Sequence, residues 1–397
     1  MQTQLAAFIR DTPEGREADA ILRACVHCGF CNATCPTYQL LGDELDGPRG
    51  RLYLMKLMFE GESVSAGTRL HLDRCLTCRS CETTCPSGVR YGRLLDLGRH
   101  TVERLVPRPA LERLTRWALR RFLLTPLLVR PTVWLGRLAG RLPAASASTR
   151  RPSTRHARKV VLLQGCVQPA LDAGIDAALA RVLDRLGIEV VRAGQAGCCG
   201  ALSHHLDAID EARVLMRRNL DAWWPLIEVG AEAVLASASG CGLHLRDYGR
   251  LLADDPVYAE RAMRFSARVR DPVELLADAD LSAFRLPAPR RIAFQSPCTL
   301  QHGRGLRGVV EGLLGKLGYD LVPVVDSHLC CGAAGTYSIL QSGIATELRD
   351  RKLDALTAGD PELIATANIG CQVHLATATE LPVVHWITLL DNAAIKT

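Results

Sequence analysis

Two cysteine phrases set the chemistry of this chain: Cys25-Val-His-Cys28-Gly-Phe-Cys31-Asn-Ala-Thr-Cys35-Pro36 and Cys75-Leu-Thr-Cys78-Arg-Ser-Cys81-Glu-Thr-Thr-Cys85-Pro86. Three thiolates at this spacing wrap one corner of an iron–sulfur cubane while backbone N–H groups point at its sulfides. The fourth Cys, followed by a proline that turns the chain away, reaches a second cluster. The pattern predicts two [4Fe-4S] clusters with crossed ligands. Cys25, Cys28 and Cys31 share one cluster with Cys85, and Cys75, Cys78 and Cys81 share the other with Cys35. Zinc is the alternative, but it usually takes two CxxC pairs, which a doubled C-x2-C-x2-C-x3-C-P run does not resemble.

Eight further cysteines fall into a long internal repeat. In the first copy the β-type run Lys159-Val-Val-Leu-Leu-Gln leads to Cys166, then comes Cys198-Cys199-Gly200-Ala201, and Ala233-Val-Leu-Ala leads to Gly240-Cys241-Gly-Leu-His244. In the second, Arg291-Ile-Ala-Phe-Gln leads to Cys298, then Cys330-Cys331-Gly332-Ala333, and Leu363-Ile-Ala-Thr-Ala leads to Gly370-Cys371-Gln-Val-His374. Helical patterns at Ala177–Leu186 and Val309–Leu317, followed by extended runs Ile188–Val191 and Leu321–Val325, make the order βαβαβ. Such a unit predicts a parallel sheet with its cysteines at the carboxyl ends of the strands. Cys166, Cys198, Cys199, Cys241 and His244, with Cys298, Cys330, Cys331, Cys371 and His374, are therefore candidate ligands for a further cluster or metal. A purely structural role for these residues is the competing reading.

These ligand loops need elements to hold them. The chain divides into a helical, ferredoxin-like two-cluster region over 1–107, a basic amphipathic segment and linker over 108–158, and cysteine-rich α/β repeats over 159–289 and 290–397. The fold class expected is α+β multidomain. Short helical patterns at Glu17–Ala24, Arg49–Glu60 and Gly67–Arg74 frame the cluster loops, and metal ligation is expected to supply much of that region's folding free energy.

With 397 residues, 48% of them hydrophobic, the chain can bury a sizeable core. Sixteen cysteines, with no signal-peptide pattern at Met1-Gln2-Thr3-Gln4, lead to the expectation of a reducing, cytoplasmic setting in which thiols serve metals. No apolar run is long enough to span a bilayer, so membrane contact would be peripheral. The net charge of +6 hides an asymmetry: Arg113–Lys159 holds twelve basic residues and no acidic one. Leu114, Trp117, Leu119, Phe122, Leu123, Leu127 and Trp134 are interleaved with Arg116, Arg120, Arg121 and Arg130. This pattern suits an anionic lipid surface on the cytoplasmic face of the inner membrane or an acidic partner, and internal packing is the plain alternative. No nucleic-acid-binding module accompanies the arginines.

Gly303-Arg-Gly305-Leu-Arg-Gly308, with Asp326 downstream, fits G-x-G-x-x-G, but its first glycine stands too far beyond the strand for the tight dinucleotide turn. There is no Walker-type lysine loop and no Ser/His/Asp arrangement, and no catalytic residue is assigned.

Together, Ile21–Cys31, Leu40–Arg49, Asp46-Gly-Pro-Arg-Gly-Arg-Leu52, Cys75–Arg90 and Ser327–Thr336 resemble the iron–sulfur subunits of bacterial glycolate oxidases along the whole chain. That resemblance implies two [4Fe-4S] clusters on the eight cysteines of the first region. It also implies partner subunits that carry a flavin and oxidise glycolate to glyoxylate, and a respiratory-chain acceptor. The repeats are similar to the CCG domains of heterodisulfide reductase. They depart from the fuller pattern, which ends in CxxC, because His244 and His374 stand where the last Cys would be. An altered cluster, another metal or an empty scaffold all remain open. The alternatives are the equivalent subunit of a lactate or anaerobic glycerol-3-phosphate dehydrogenase, or an iron–sulfur sensor or scaffold.

Overall fold

The computed structural model describes residues 1–145, 148–286 and 288–394. The chain forms two compact units, one made of Met1–Arg116 with His328–Lys352, the other of Trp117–Ser327 with Leu353–Thr397.

In the first unit, helices Pro13–Ala24, Pro48–Phe59, Ala66–Asp73 and Tyr91–Leu105 enclose a core of Leu22, Leu52, Met55, Met58, Phe59, Leu72, Leu94 and Leu95. Local chemistry sets where these helices begin. Thr12 accepts a hydrogen bond from the Gly15 amide at 3.0 Å and Pro13 follows as the first helical residue, because proline lacks the N–H that a first turn leaves unpaired. Pro36 and Pro48 likewise open the helices Pro36–Leu41 and Pro48–Phe59. The cluster loops run between these helices, which supply the fixed frame that the loops' own small apolar surface cannot.

The second unit contains two four-stranded parallel sheets. Strands β1 (Arg158–Leu162), β2 (Ile188–Val191), β3 (Ala233–Leu235) and β4 (Val269–Arg270) lie in the order β2-β1-β3-β4. Strands β5 (Arg291–Gln295), β6 (Asp320–Leu321), β7 (Leu363–Thr366) and β8 (Val383–His385) repeat it as β6-β5-β7-β8. Val161 stands in register with Val191 on one side and Val234 on the other, so the central strand is buried on both faces and reads as a continuous apolar run. One apolar core contains Leu162 and Leu235 of the first sheet together with Ile292, Phe294 and Ala365 of the second. The expected βαβαβ order is therefore present twice, with a fourth strand added to each copy. The run Leu321–Val325 stays with β5 only as far as Val322, whose amide donates to the Ile292 carbonyl oxygen at 2.9 Å.

Among the described residues no helix is long and apolar enough to cross a membrane. The basic segment folds as helices Ala110–Leu124 and Pro126–Leu138. Part of its charge is already committed: Arg116 pairs with Asp73 at 3.3 Å and Arg120 with Glu211 at 3.5 Å.

Candidate functional site

The two cluster loops have matching backbones. His27 and Thr77, each just before the second Cys of its phrase, are left-handed at φ 59° and 54°. Gly29 and Arg79, each just after it, are left-handed at φ 85° and 61°. A non-glycine residue in that region is strained, and three such residues at equivalent loop positions indicate a conformation held for a purpose. Alternating left-handed turns aim successive N–H groups to one side, which forms an anion-binding concavity. The His27 amide lies 3.4 Å from Cys25 Sγ.

Each loop borders its own recess. Cys25, Cys28, Cys31 and Cys85 line one, with about 460 Å³ of unfilled space that includes open solvent. Cys35, Cys75, Cys78 and Cys81 line the other, with about 370 Å³. Pro48, Cys81 and Tyr91 belong to the walls of both recesses, which makes the two neighbours. Their exposure differs. Cys28 is exposed and Cys25, Cys31 and Cys85 are half-buried, whereas Cys35, Cys75, Cys78 and Cys81 are all buried.

The thiols of each recess feel one another. Burial, then the neighbouring Cys25, Cys85 and Cys28, pushes the Cys31 thiol up to about 11. Burial, then Cys78, Cys75 and Cys35, pushes Cys81 well above the usual thiol range. Thiols crowded in this way resist ionising without a cation among them, and iron supplies one. An all-sulfur donor set and left-handed loops fit a cubane in each recess.

Behind the second recess lies a buried polar network. Arg51 donates from Nε to the His71 carbonyl oxygen at 2.6 Å, from Nη1 to Thr37 Oγ1 at 3.1 Å, and from Nη2 to Asp46 Oδ1 at 3.2 Å. The Tyr91 hydroxyl donates toward Cys75 Sγ at 3.9 Å. Tyr337 donates to the Arg74 carbonyl oxygen at 2.9 Å, and burial, then the nearby charges of Cys75 and Cys330, raises its hydroxyl above the normal range.

In the first α/β repeat the four candidate thiols meet. Hydrogen bonds from Cys166 and Cys199 hold the Cys198 thiol well below its usual range, helped by the Gly200 amide at 3.4 Å and the Arg218 charge, although burial opposes this. Cys199 is raised, first by its bonds to Cys198 and Cys241 and then by burial. Cys198 therefore ionises before Cys166 and Cys199, both of which are raised. Tyr248 donates to the Cys199 carbonyl oxygen at 2.6 Å, and Asn219 Nδ2 donates to that of Cys198 at 2.7 Å. Cys241 and His244 sit one turn apart on helix Ser239–Arg246. The His244 ring centroid is 5.4 Å from that of His204 and 6.1 Å from that of His205.

In the second repeat Cys298 and Cys371 belong to the second unit, Cys330 and Cys331 to the first. Cys371 and His374 again stand one turn apart, on helix Ile369–Ala376. The glycine-rich stretch is no dinucleotide turn: residues 296–308 separate β5 from helix Val309–Lys316, and Thr299–Gly303 form a π-helical turn within that stretch.

The sequence reading assigned no role to Arg51, Asn219, Tyr248, His204 or His205. Arg51 lay within a quoted motif. The others carry no spacing signal, since Asn219 and Tyr248 reach the Cys-Cys pair only through the fold.

Comparison with known proteins agrees with this geometry. Residues 21–89 match the 4Fe-4S dicluster domain family, and residues 160–246 and 292–376 match the cysteine-rich domain family. A two-cluster module followed by two cysteine-rich α/β domains defines an electron-transferring iron–sulfur subunit of an oxidoreductase. The chain is 52% identical, over the whole of both chains, to the glycolate oxidase iron–sulfur subunit of Escherichia coli K12. It is 28% identical, over 93% of each chain, to the probable glycolate oxidase iron–sulfur subunit of Bacillus subtilis 168. It belongs to the glycolate oxidase iron–sulfur subunit family. A hypothetical protein from Helicobacter pylori of known structure shares the fold, with a TM-score of 0.54 at 9% identity over 97% of this chain and 73% of that one.

Proposed function

We propose that this chain receives electrons from a flavin-bearing partner subunit that oxidises glycolate to glyoxylate, and delivers them to a respiratory-chain acceptor. The observation that carries this reading is the pair of cysteine-lined recesses with a shared wall at Pro48, Cys81 and Tyr91. When bound there, the clusters supply one-electron carriers close enough to exchange charge. Cys25, Cys28, Cys31 and Cys85 hold one, and Cys75, Cys78, Cys81 and Cys35 the other. The left-handed residues His27, Gly29, Thr77 and Arg79 orient the loops around them. Tyr91 and Thr37 lie against sulfurs of the second set and keep water from them. No group of this chain needs to touch glycolate.

Two further roles belong to the same reading. Cys166, Cys198, Cys199 and Cys241, with His244, form a third metal or cluster site, supported by the chain of thiol–thiol hydrogen bonds. Cys298, Cys330, Cys331, Cys371 and His374 hold the equivalent positions in the sequence of the second repeat. Helix Pro126–Leu138 holds the complex peripherally on an anionic membrane surface. Leu127, Trp134 and Leu138 are exposed on it at 83%, 60% and 67%, and Arg130 is exposed beside them.

The test is anaerobic co-purification with the partner subunits, followed by electron paramagnetic resonance after addition of glycolate. Two cubane signals developing within turnover support the reading. Iron-loaded protein that glycolate leaves oxidised would overturn it.

A further inference from the structure

The stretch Glu44-Leu-Asp-Gly-Pro-Arg-Gly-Arg51 carries two carboxylate–guanidinium pairs of equal spacing, Glu44–Arg49 at 2.6 Å and Asp46–Arg51 at 3.2 Å. A 3-10 turn over Glu44–Asp46 leads into helix Pro48–Phe59. This geometry sends the two arginines to different places. Arg49 lines the recess of Cys25, Cys28, Cys31 and Cys85, and Arg51 lines that of Cys35, Cys75, Cys78 and Cys81. Among the described residues, neither carboxylate forms part of those walls, so each pair presents its positive end.

The pairs differ in two ways. Glu44 and Arg49 keep 41% and 33% of their side-chain exposure, whereas Asp46 and Arg51 keep none. Water and salt screen the first pair, but the second acts at low dielectric, where a charge reaches further. The charge count also differs. Asp46 is shared by Arg51 and by Arg74 at 2.8 Å, with His71 Nδ1 at 3.1 Å. Glu44 pairs with Arg49 and accepts from the neutral Asn32 amide at 2.9 Å. Two guanidinium groups on one carboxylate leave positive charge beside the second recess, while the first stays balanced. Arg51 is also tied to a ligand: its Nη1 holds Thr37 Oγ1, which lies 3.3 Å from Cys35 Sγ.

We propose that Arg51, with Arg74 on the shared Asp46, holds the cluster on Cys75, Cys78, Cys81 and Cys35 at a higher reduction potential than the cluster on Cys25, Cys28, Cys31 and Cys85. This rests on the ligand assignment given above. Reduction adds one negative charge and no bond, so an enclosed cation favours the reduced form. Burial alone pulls the other way, which is why a buried cluster needs a cation enclosed with it. With that order of potentials, an electron shared between the two sites would rest at the buried one beside Arg51 and not at the solvent-facing one. Arg51 is a positioning residue, and its signature is a potential.

The experiment is a redox titration of the purified holoprotein followed by electron paramagnetic resonance. Cys28→Ser and Cys78→Ser identify the two signals, since neither assignment depends on the crossing of the fourth ligands. In the native protein the signal sensitive to Cys78→Ser should titrate at the higher potential. Arg51→Met should lower it by at least about tenfold in the ratio of reduced to oxidised cluster, a shift of about 59 mV for one electron, and leave the other signal in place. Arg51→Lys should keep most of the native value. Arg74→Gln, which opens no core, should shift the same signal in the same sense and decides the matter where Arg51→Met fails to assemble. A reversed native order would overturn the proposal, and so would variants with both clusters present that move neither signal or both equally. A wrong ligand assignment would show itself differently, as Cys35→Ser abolishing the signal that Cys28→Ser abolishes.

Discussion

The ring of His385, at the end of β8, donates from Nε2 to the carbonyl oxygen of Ser237, just beyond β3, at 3.0 Å. Residues 148 positions apart are thereby joined across the two repeats. Burial pushes this imidazole down to about 4, although its bonds to the Ser237 and Ala367 backbone oppose that.

A base with a depressed folded-state value contributes stability above its unfolded value of 6.5 and loses it as pH falls toward 4, because the unfolded chain takes the proton first. The loss should reach roughly 3 kcal/mol near pH 4. Protection factors of the β3 and β8 amides, corrected for the slower intrinsic exchange at low pH, should fall between pH 6.5 and 4.5, and His385→Asn should flatten that dependence. Equal pH profiles for the two proteins would show that His385 does not carry the effect.

The glycine after each Cys-Cys pair is left-handed, Gly200 at φ 92° and Gly332 at φ 86°. Alanine there costs about 1–2 kcal/mol in backbone strain. A Cβ on Gly332 would also stand 2.5 Å from the Ala345 carbonyl oxygen, against 3.2 Å from that of Ala212 for Gly200. In urea unfolding, Gly332→Ala should therefore lose more stability than Gly200→Ala. The opposite ranking would contradict the geometry.

How much of this was legible beforehand varies with how local the signal is. The cluster cysteines announce themselves because a cubane dictates thiol spacing, and β2 and β5 match their apolar runs to the residue. The fourth strands, Val269–Arg270 and Val383–His385, are too short to leave a pattern. That residues 328–352 join the compact unit of the cluster loops is a matter of nonlocal packing. Arginine is ordinarily exposed, so nothing in the motif around Arg51 signals its complete burial. Arg116 and Arg120 are held by Asp73 and Glu211, the internal packing that the sequence leaves open beside a lipid surface or an acidic partner.

The proposed membrane contact predicts binding to vesicles containing phosphatidylglycerol. Arg130→Gln should weaken it at 0.1 M salt but hardly at 1 M, as the Debye length shrinks from about 10 Å to about 3 Å. Leu127→Ser with Trp134→Ser should weaken it at both. Native protein that ignores these vesicles would remove the lipid surface and leave an acidic partner or internal packing.

If the first repeat holds a metal centre, anaerobically purified protein should contain iron beyond the ~8 atoms of two cubanes, or zinc. Cys199→Ser should lower that excess. Metal content unchanged by Cys199→Ser, together with unchanged glycolate turnover, would leave Cys166, Cys198, Cys199 and Cys241 as structural thiols.

The central claim is that each recess is closed by the last cysteine of the other phrase, and the spectrum of Cys85→Ser tests it most directly. Reduced Cys85→Ser should show an altered version of the cubane signal that Cys28→Ser also alters, with the signal sensitive to Cys78→Ser intact, and Cys35→Ser should do the reverse. If Cys85→Ser instead perturbs the cubane sensitive to Cys78→Ser and spares the other, the crossed sites are wrong.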